Sequence, residues 1–482
     1  MIYRTTFIAV FALAGFAQGA DTSAQVSFTR DLRPLLNANC NSCHKPDKSK
    51  ADLDMTTYVA LMKGSKKGAI VVPGQPAKSR LLEVCSGPEP EMPPPDEGKP
   101  LTKPQLELIE RWIAQGATDD TAAPGMAKIP APIYAVPPVV TSIAWSPDGK
   151  LLAVSGYHEV VLHEIDEAGK SKIVARLIGD CPRIESIAFS PDGSLIGVAG
   201  GAPGEFGQVQ IWDRKTFKLR KAFQPSTDSL YGLSFSPDGK TVGVGGADKV
   251  ARRMDIETGN ILTDFRAHAD WVLNTTFTLD GKQMVTGGRD KALKLVDVET
   301  GRFVDDINNP LEQVLCIARH PKQEQIIIGG DLGVARIYKI SDNQGRTNGR
   351  IDTNLLTQFE RMPAAVTAVA FSPDGSQVAL GSTDEVRIYN AGAKAADAPM
   401  KKPAAPARGR RAARPAPPSQ GKELMTFDAF TGPVYAVAWR PDGSVIAAAG
   451  FDGEIRLFNA KTGDEVSSFK PVPIKAATAG GK

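Results

Sequence analysis

The stretch Leu233-Ser-Phe-Ser-Pro-Asp-Gly-Lys-Thr-Val-Gly-Val-Gly-Gly246 decides the architecture. A short β run enters Ser236-Pro-Asp-Gly239, and a second leaves it and stops on a glycine pair. Proline presets one dihedral and glycine accepts a positive φ, so this tetrapeptide reverses the chain for a physical reason. It recurs as Ser-Pro-Asp-Gly at Ser146, Ser190 and Ser372, and in altered form as Thr278-Leu-Asp-Gly281, His320-Pro-Lys-Gln323 and Arg440-Pro-Asp-Gly443. Successive copies lie 44, 46, 42, 42, 52 and 68 residues apart. The preceding residue is Trp145, Phe189, Phe235, Phe277, Phe371 or Trp439, with Arg319 the exception. After each second run comes a polar turn such as Ala247-Asp248-Lys249. A third run follows, such as Gln210–Asp213 or Arg387–Asn390, and then a fourth, such as Leu219–Phe223.

Four short strands repeated seven times predict an all-β seven-bladed propeller over residues 139–470. The segment resembles the WD-repeat family from Val139 to Phe469. Trp212-Asp213 preserves that family's dipeptide once, and Ala267-His268 stands where the family has Gly-His. The resemblance implies a platform that binds other proteins, because loops on a rigid disc offer surface without chemistry of their own. Glu465–Phe469 is expected to give the last blade its outer strand, in competition with Ile129–Val136. His158 and His163 fall about the third strand of blade one, His268 reads as a blade-to-blade hydrogen-bonding residue, and His320 occupies a turn.

Two segments read as spacers. Residues 119–138 are rich in Ala and Pro and form a semi-stiff linker. Residues 391–421 interrupt blade six ahead of its fourth strand, Glu423–Phe427. They carry seven cations (Lys394, Lys401, Lys402, Arg408, Arg410, Arg411, Arg414) against Asp397, a composition that predicts disorder. This insert is open to contact with an anionic surface. Residues 471–482 read as a flexible tail.

The amino-terminal part carries the chemistry. Residues 1–20 place Arg4, an apolar run from Phe7 to Phe16 and small residues up to Ala20 in the order of a secretory signal peptide. Cys40-Asn-Ser-Cys-His44 then has the spacing for covalent haem: two thiols reach the porphyrin vinyl groups and His44 lies under the iron. A zinc site needs a second ligand pair, and Cys85, Cys181 and Cys316 stand alone. Cys316 is expected to be buried in an inner strand. Cys85 and Cys181 read as loop residues, with a bridge between them left open.

Phe28, Leu32, Leu35 and Leu36 mark one helix face, with Pro34 in the first turn. Thr102-Lys-Pro-Gln105 reads as a capping box opening a helix with the stripe Leu106, Ile109, Trp112 and Ile113, stopped by Gly116. Between them, the proline run after Met92 favours its thioether as distal ligand, with another methionine or an open or otherwise ligated site as alternatives, and Met55 and Met62 read as core. A His/Met pair implies electron transfer instead of oxygen chemistry.

Residues 28–118 resemble the planctomycete-type cytochrome c domain. The resemblance rests on Cys40–His44, Val72-Pro73-Gly74 with Ser79 and Leu81, Met92-Pro93-Pro94, and Trp112-Ile113 closing at Gly116-Ala117. It implies one haem with Met92 opposite His44.

Composition bounds the rest. A chain of 482 residues suggests about three folding units, and five cysteines cannot be a disulfide scaffold. The net charge of +3 announces neither nucleic acid nor membrane, and no apolar run reaches the length of a span. The expectation is a multidomain exported, periplasmic protein: a small all-α cytochrome c domain over 21–118 with one haem c, held by Cys40, Cys43, His44 and Met92, followed by the propeller. The function expected is electron transfer to a redox protein partner. An alternative is a haem-dependent oxidoreductase whose propeller binds a substrate or second cofactor, since the nitrite reductases with a d-type haem share the plan. A haem-based sensor scaffold is a further alternative.

Overall fold

The computed structural model describes residues 25–41, 43–45, 48–56, 58–118, 129–308, 312–340, 354–392 and 419–475. The expected signal peptide lies outside them, as do residues 393–418 of the insert. The chain forms two compact units, Met1–Asp119 and Asp120–Lys482.

In the first unit a π-helical turn, Phe28–Leu32, leads into α1 (Arg33–Asn39), with Pro34 in its first turn, where a missing N–H costs no hydrogen bond. Phe28, Leu32, Leu35 and Leu36 are all buried. The unit continues through α2 (Tyr58–Lys63), α3 (Arg80–Cys85) and α4 (Lys103–Ala114). The capping box forms as expected. Thr102 N–H donates to Gln105 Oε1 at 2.8 Å, and Gly116 ends the element at φ 98°. Ile109, Trp112 and Ile113 face inward, and Phe28 meets Tyr58 edge-on at 5.4 Å and Trp112 at 5.6 Å. Each such side chain withdrawn from water stabilises the unit by about 1.5–3 kcal/mol. The unit is not wholly α. His44–Lys45 pairs antiparallel with Lys48–Ser49.

The second unit is built from sheets whose strands pair antiparallel in chain order, apart from one short parallel strand, Ser419–Gln420. Ser146, Ser190, Ser236, Thr278 and Ser372 repeat one turn. At Ser146, the hydroxyl donates to Asp148 Oδ1 at 2.6 Å and accepts from Leu151 N–H at 2.9 Å, and Gly149 takes φ 70°. His320 replaces that hydroxyl with a ring nitrogen, which accepts from Lys322 and Gln323 N–H, both at 3.0 Å.

The first two repeats are joined. Ser171–Phe189 runs unbroken as the outer strand of one and the inner strand of the next, giving a seven-stranded sheet. Inner strands pack on one another in sequence, and the last, Val434–Trp439, packs on the first, Ile143–Trp145. Val140, Ile143 and Leu152 share a core with Ala436, Ala447 and Leu457, and Val140 N–H donates to Gly450 O at 3.0 Å. This mostly β arrangement fits a β-propeller.

Glu465–Phe469 pairs with Ile455–Asn459 as the last outer strand. Glu423–Phe427 pairs with Val386–Asn390 across the insert. Ser419–Gln420, at the end of the segment read as disordered, lies parallel to Thr357–Gln358 and extends a neighbouring sheet.

The segment read as a linker and the segment read as a tail are partly fixed. Tyr134 is buried, its hydroxyl donates to Glu159 Oε1 at 2.8 Å, and Pro132 O accepts from Arg176 at 2.7 Å. In the segment read as a flexible tail, Val472 is buried against Tyr134 and Val161, and Ile474 bridges to Tyr134. Burial of these apolar side chains supplies the order that Pro-rich composition conceals.

Candidate functional site

Cys40, Cys43, His44 and Met92 line one cleft of about 230 Å³ in the first unit. Cys40 caps α1, and Cys43 and His44 N–H both donate to Cys40 O at 3.1 Å, so one tight turn presents both thiols and the imidazole. The remaining wall is largely apolar, with Leu53, Ile70, Leu81, Val84 and Leu101 among its residues.

His44 is oriented by its neighbours. Its Nδ1 lies 3.1 Å from Lys50 O, and a carbonyl only accepts, so Nδ1 carries the proton and Nε2 keeps the basic lone pair. Met55 N–H donates to His44 O at 3.0 Å and Lys50 N–H to Cys43 O at 3.2 Å, which fixes the strand pair behind the ring. Met92 enters from another wall, where its N–H donates to Val84 O of α3 at 2.9 Å.

The donor set fits a haem. Two thiols three positions apart suit two vinyl groups, and a neutral imidazole and a thioether suit the iron. Burial, and secondarily the neighbouring Cys85, pushes the Cys40 thiol up to about 12. It is therefore a neutral thiol in the cleft, and thioether linkage leaves it neutral.

Three residues of the cleft escaped the sequence reading. Met55, expected as core, is buried and also lines the cleft, whereas Met62 packs on the core alone. Cys85 is not a loop residue. It ends α3, buried and facing the cleft, and burial pushes its thiol up to about 11. Glu97 accepts from Cys43 Sγ at 2.8 Å and from Lys50 Nζ at 2.7 Å. Only the helical spacing of Leu81 and Cys85, four apart, signalled that this thiol shares an inward face.

In the second unit Cys181 lies buried in a strand instead of a loop, and Cys316 is half-buried in an inner strand. Both thiols are free, as is Cys85. His268 lies in the connection between Ile261–Phe265 of one sheet and Val272–Phe277 of the next, where its Nδ1 meets Asp290 at 2.9 Å and its Nε2 meets Thr286 of that next sheet at 2.8 Å. His158 lies 3.2 Å from Gly179 O, and His163 contacts Ser171 and Pro471. Among the described residues no helix is long and apolar enough to cross a membrane.

Comparison with known proteins agrees with this division. Residues 40–96 match the family model described as Planctomycete cytochrome C. Residues 135–161, 259–297, 354–390 and 421–459 match the WD domain, G-beta repeat. No curated protein matches the chain. The cytochrome model suggests haem binding and an exported protein, and the repeats suggest protein interaction. The chain thus joins a planctomycete-type cytochrome c domain to WD repeats.

Proposed function

We propose that the protein is a periplasmic electron carrier with one covalently attached haem c. Cys40 and Cys43 supply the thioether links, His44 is the proximal ligand through Nε2, and Met92 is the distal ligand. The observation that carries this reading is the convergence of these four side chains on one apolar-walled cleft, with Lys50 O holding the His44 tautomer. Haem supplies a reversible one-electron couple when bound, and sulfur ligation raises its reduction potential. The chain's own part is to orient the imidazole, hold a thioether opposite it and exclude water with apolar walls.

The second unit is read as seven blades closed into a ring over 139–470. Seven turn copies and the packing of Val434–Trp439 on Ile143–Trp145 support this count. Its role is to dock a protein, which brings the haem edge within reach of a redox partner.

Pyridine haemochrome analysis tests the centre of the proposal. One haem per chain is expected, resistant to acid-acetone extraction, with covalent retention impaired in Cys40→Ala and Cys43→Ala. Haem that extracts freely, or a second chromophore, contradicts it.

A further inference from the structure

Lys50 and Glu97 lie outside the proposed ligand set, yet they connect its two halves. The backbone of Lys50 serves the proximal side, donating to Cys43 O at 3.2 Å and accepting from His44 Nδ1 at 3.1 Å. Its ammonium reaches Glu97 Oε1 at 2.7 Å. Glu97 follows Met92 by five residues, through three prolines whose fixed φ stiffens the connection. Glu97 and Gly98 N–H both donate to Pro94 O, at 2.9 and 3.0 Å, closing that loop on itself. A shift of Glu97 is therefore carried toward Met92 instead of being absorbed by slack chain.

Cys43 Sγ also donates to Glu97, at 2.8 Å. Thioether formation removes that proton, whereas the Lys50 ammonium persists. We propose that the Lys50–Glu97 ion pair is a clasp holding the Met92 loop against the His44 turn, which makes both of them positioning residues for the axial ligands. The proposal rests on the reading of His44 and Met92 as ligands of haem iron.

The two side chains are 49% and 36% exposed, so the clasp is partly solvated, modest in strength and sensitive to salt. The test uses the full-length holoprotein, with the carbon monoxide association rate of the reduced form and the sulfur–iron charge-transfer band of the oxidised form as readouts. Lys50→Met and Glu97→Gln, both exposed and close in size to the native residues, are each expected to speed carbon monoxide binding about fivefold at low salt. The reversal Lys50→Glu with Glu97→Lys is expected to restore the slow rate. In the unaltered protein, raising salt to about 1 M, where screening acts within about 3 Å, is expected to speed binding similarly.

A rate unchanged in both single variants, with the band present in the unaltered protein, overturns the clasp alone. Failure of the reversal to restore the slow rate does the same. Absence of the band from the unaltered protein overturns the Met92 assignment and the clasp with it.

Discussion

Met55 and Met92 present the same thioether to the same cleft, and their backbones separate them. Met55 is tied to His44 O and so belongs to the proximal stretch, whereas Met92 is tied to Val84 on α3. Met92→Ala should therefore abolish the sulfur–iron band and open the reduced haem to carbon monoxide. Met55→Leu, a volume-conserving change costing under about 1.5 kcal/mol, should leave the band intact. Optical spectra of the two variants check both outcomes, and loss of the band in Met55→Leu alone would reverse the assignment.

His163 gives a second residue-scale prediction. Burial pushes it down to about 4, against the opposing pull of Pro471 O. The unfolded chain takes up a proton near 6.5 that the fold refuses, so stability is complete above about pH 6.5 and declines as pH falls toward 4. Urea midpoints across that window should flatten in His163→Gln relative to the native residue. At this scale Cys40, Cys43 and His44 were legible because they are contiguous. Met55, Cys85 and Glu97 were not, because tertiary contacts alone bring them to the cleft.

The repeated turn was legible as an element because its signal is local: a proline, a carboxylate and a glycine in fixed order. The structure adds how each part is used. The Ser190 and Ser372 hydroxyls, with backbone N–H groups beside them, hold the Asp192 and Asp374 carboxyls down to about 2. Their folded values lie below the unfolded one, so the stability they contribute is present above about pH 4 and lost as pH falls toward 2. Circular dichroism against pH should show the β signal weakening in that window, and Asp192→Asn with Asp374→Asn should lessen the slope. The Tyr134 segment was illegible for the opposite reason. Its Pro/Ala composition carries no periodicity, and its order comes from a distant pair, Glu159 with Arg176, at 2.6 Å. Glu159 is fully buried, so Glu159→Leu leaves the Arg176 cation without its partner and is expected to cost about 3–5 kcal/mol in urea unfolding. A loss under about 1 kcal/mol would mean that water reaches the guanidinium.

For the whole molecule, the net charge of +3 averages a basic insert against an otherwise net-acidic chain, and the two units bury separate cores. What the repeats alone do not specify is how the second unit is fastened at its ends. The residues beyond the last outer strand do this: Pro471 O meets His163 Nε2 at 3.0 Å, Val472 is buried, and Lys475 N–H donates to Tyr134 O at 2.9 Å. Removing residues 471–482 deletes all three contacts, and burial of Val472 alone is worth about 1.5–3 kcal/mol. Removing only 476–482 deletes none of them. Thermal unfolding followed by circular dichroism should therefore show a lower midpoint for the longer deletion than for the shorter. The haem spectrum should be the same in both, because the cleft draws its walls from the first unit alone. Equal melting of the two deletions would show that residues 471–475 contribute nothing to the fold, and that adjacent inner strands hold the second unit together without them.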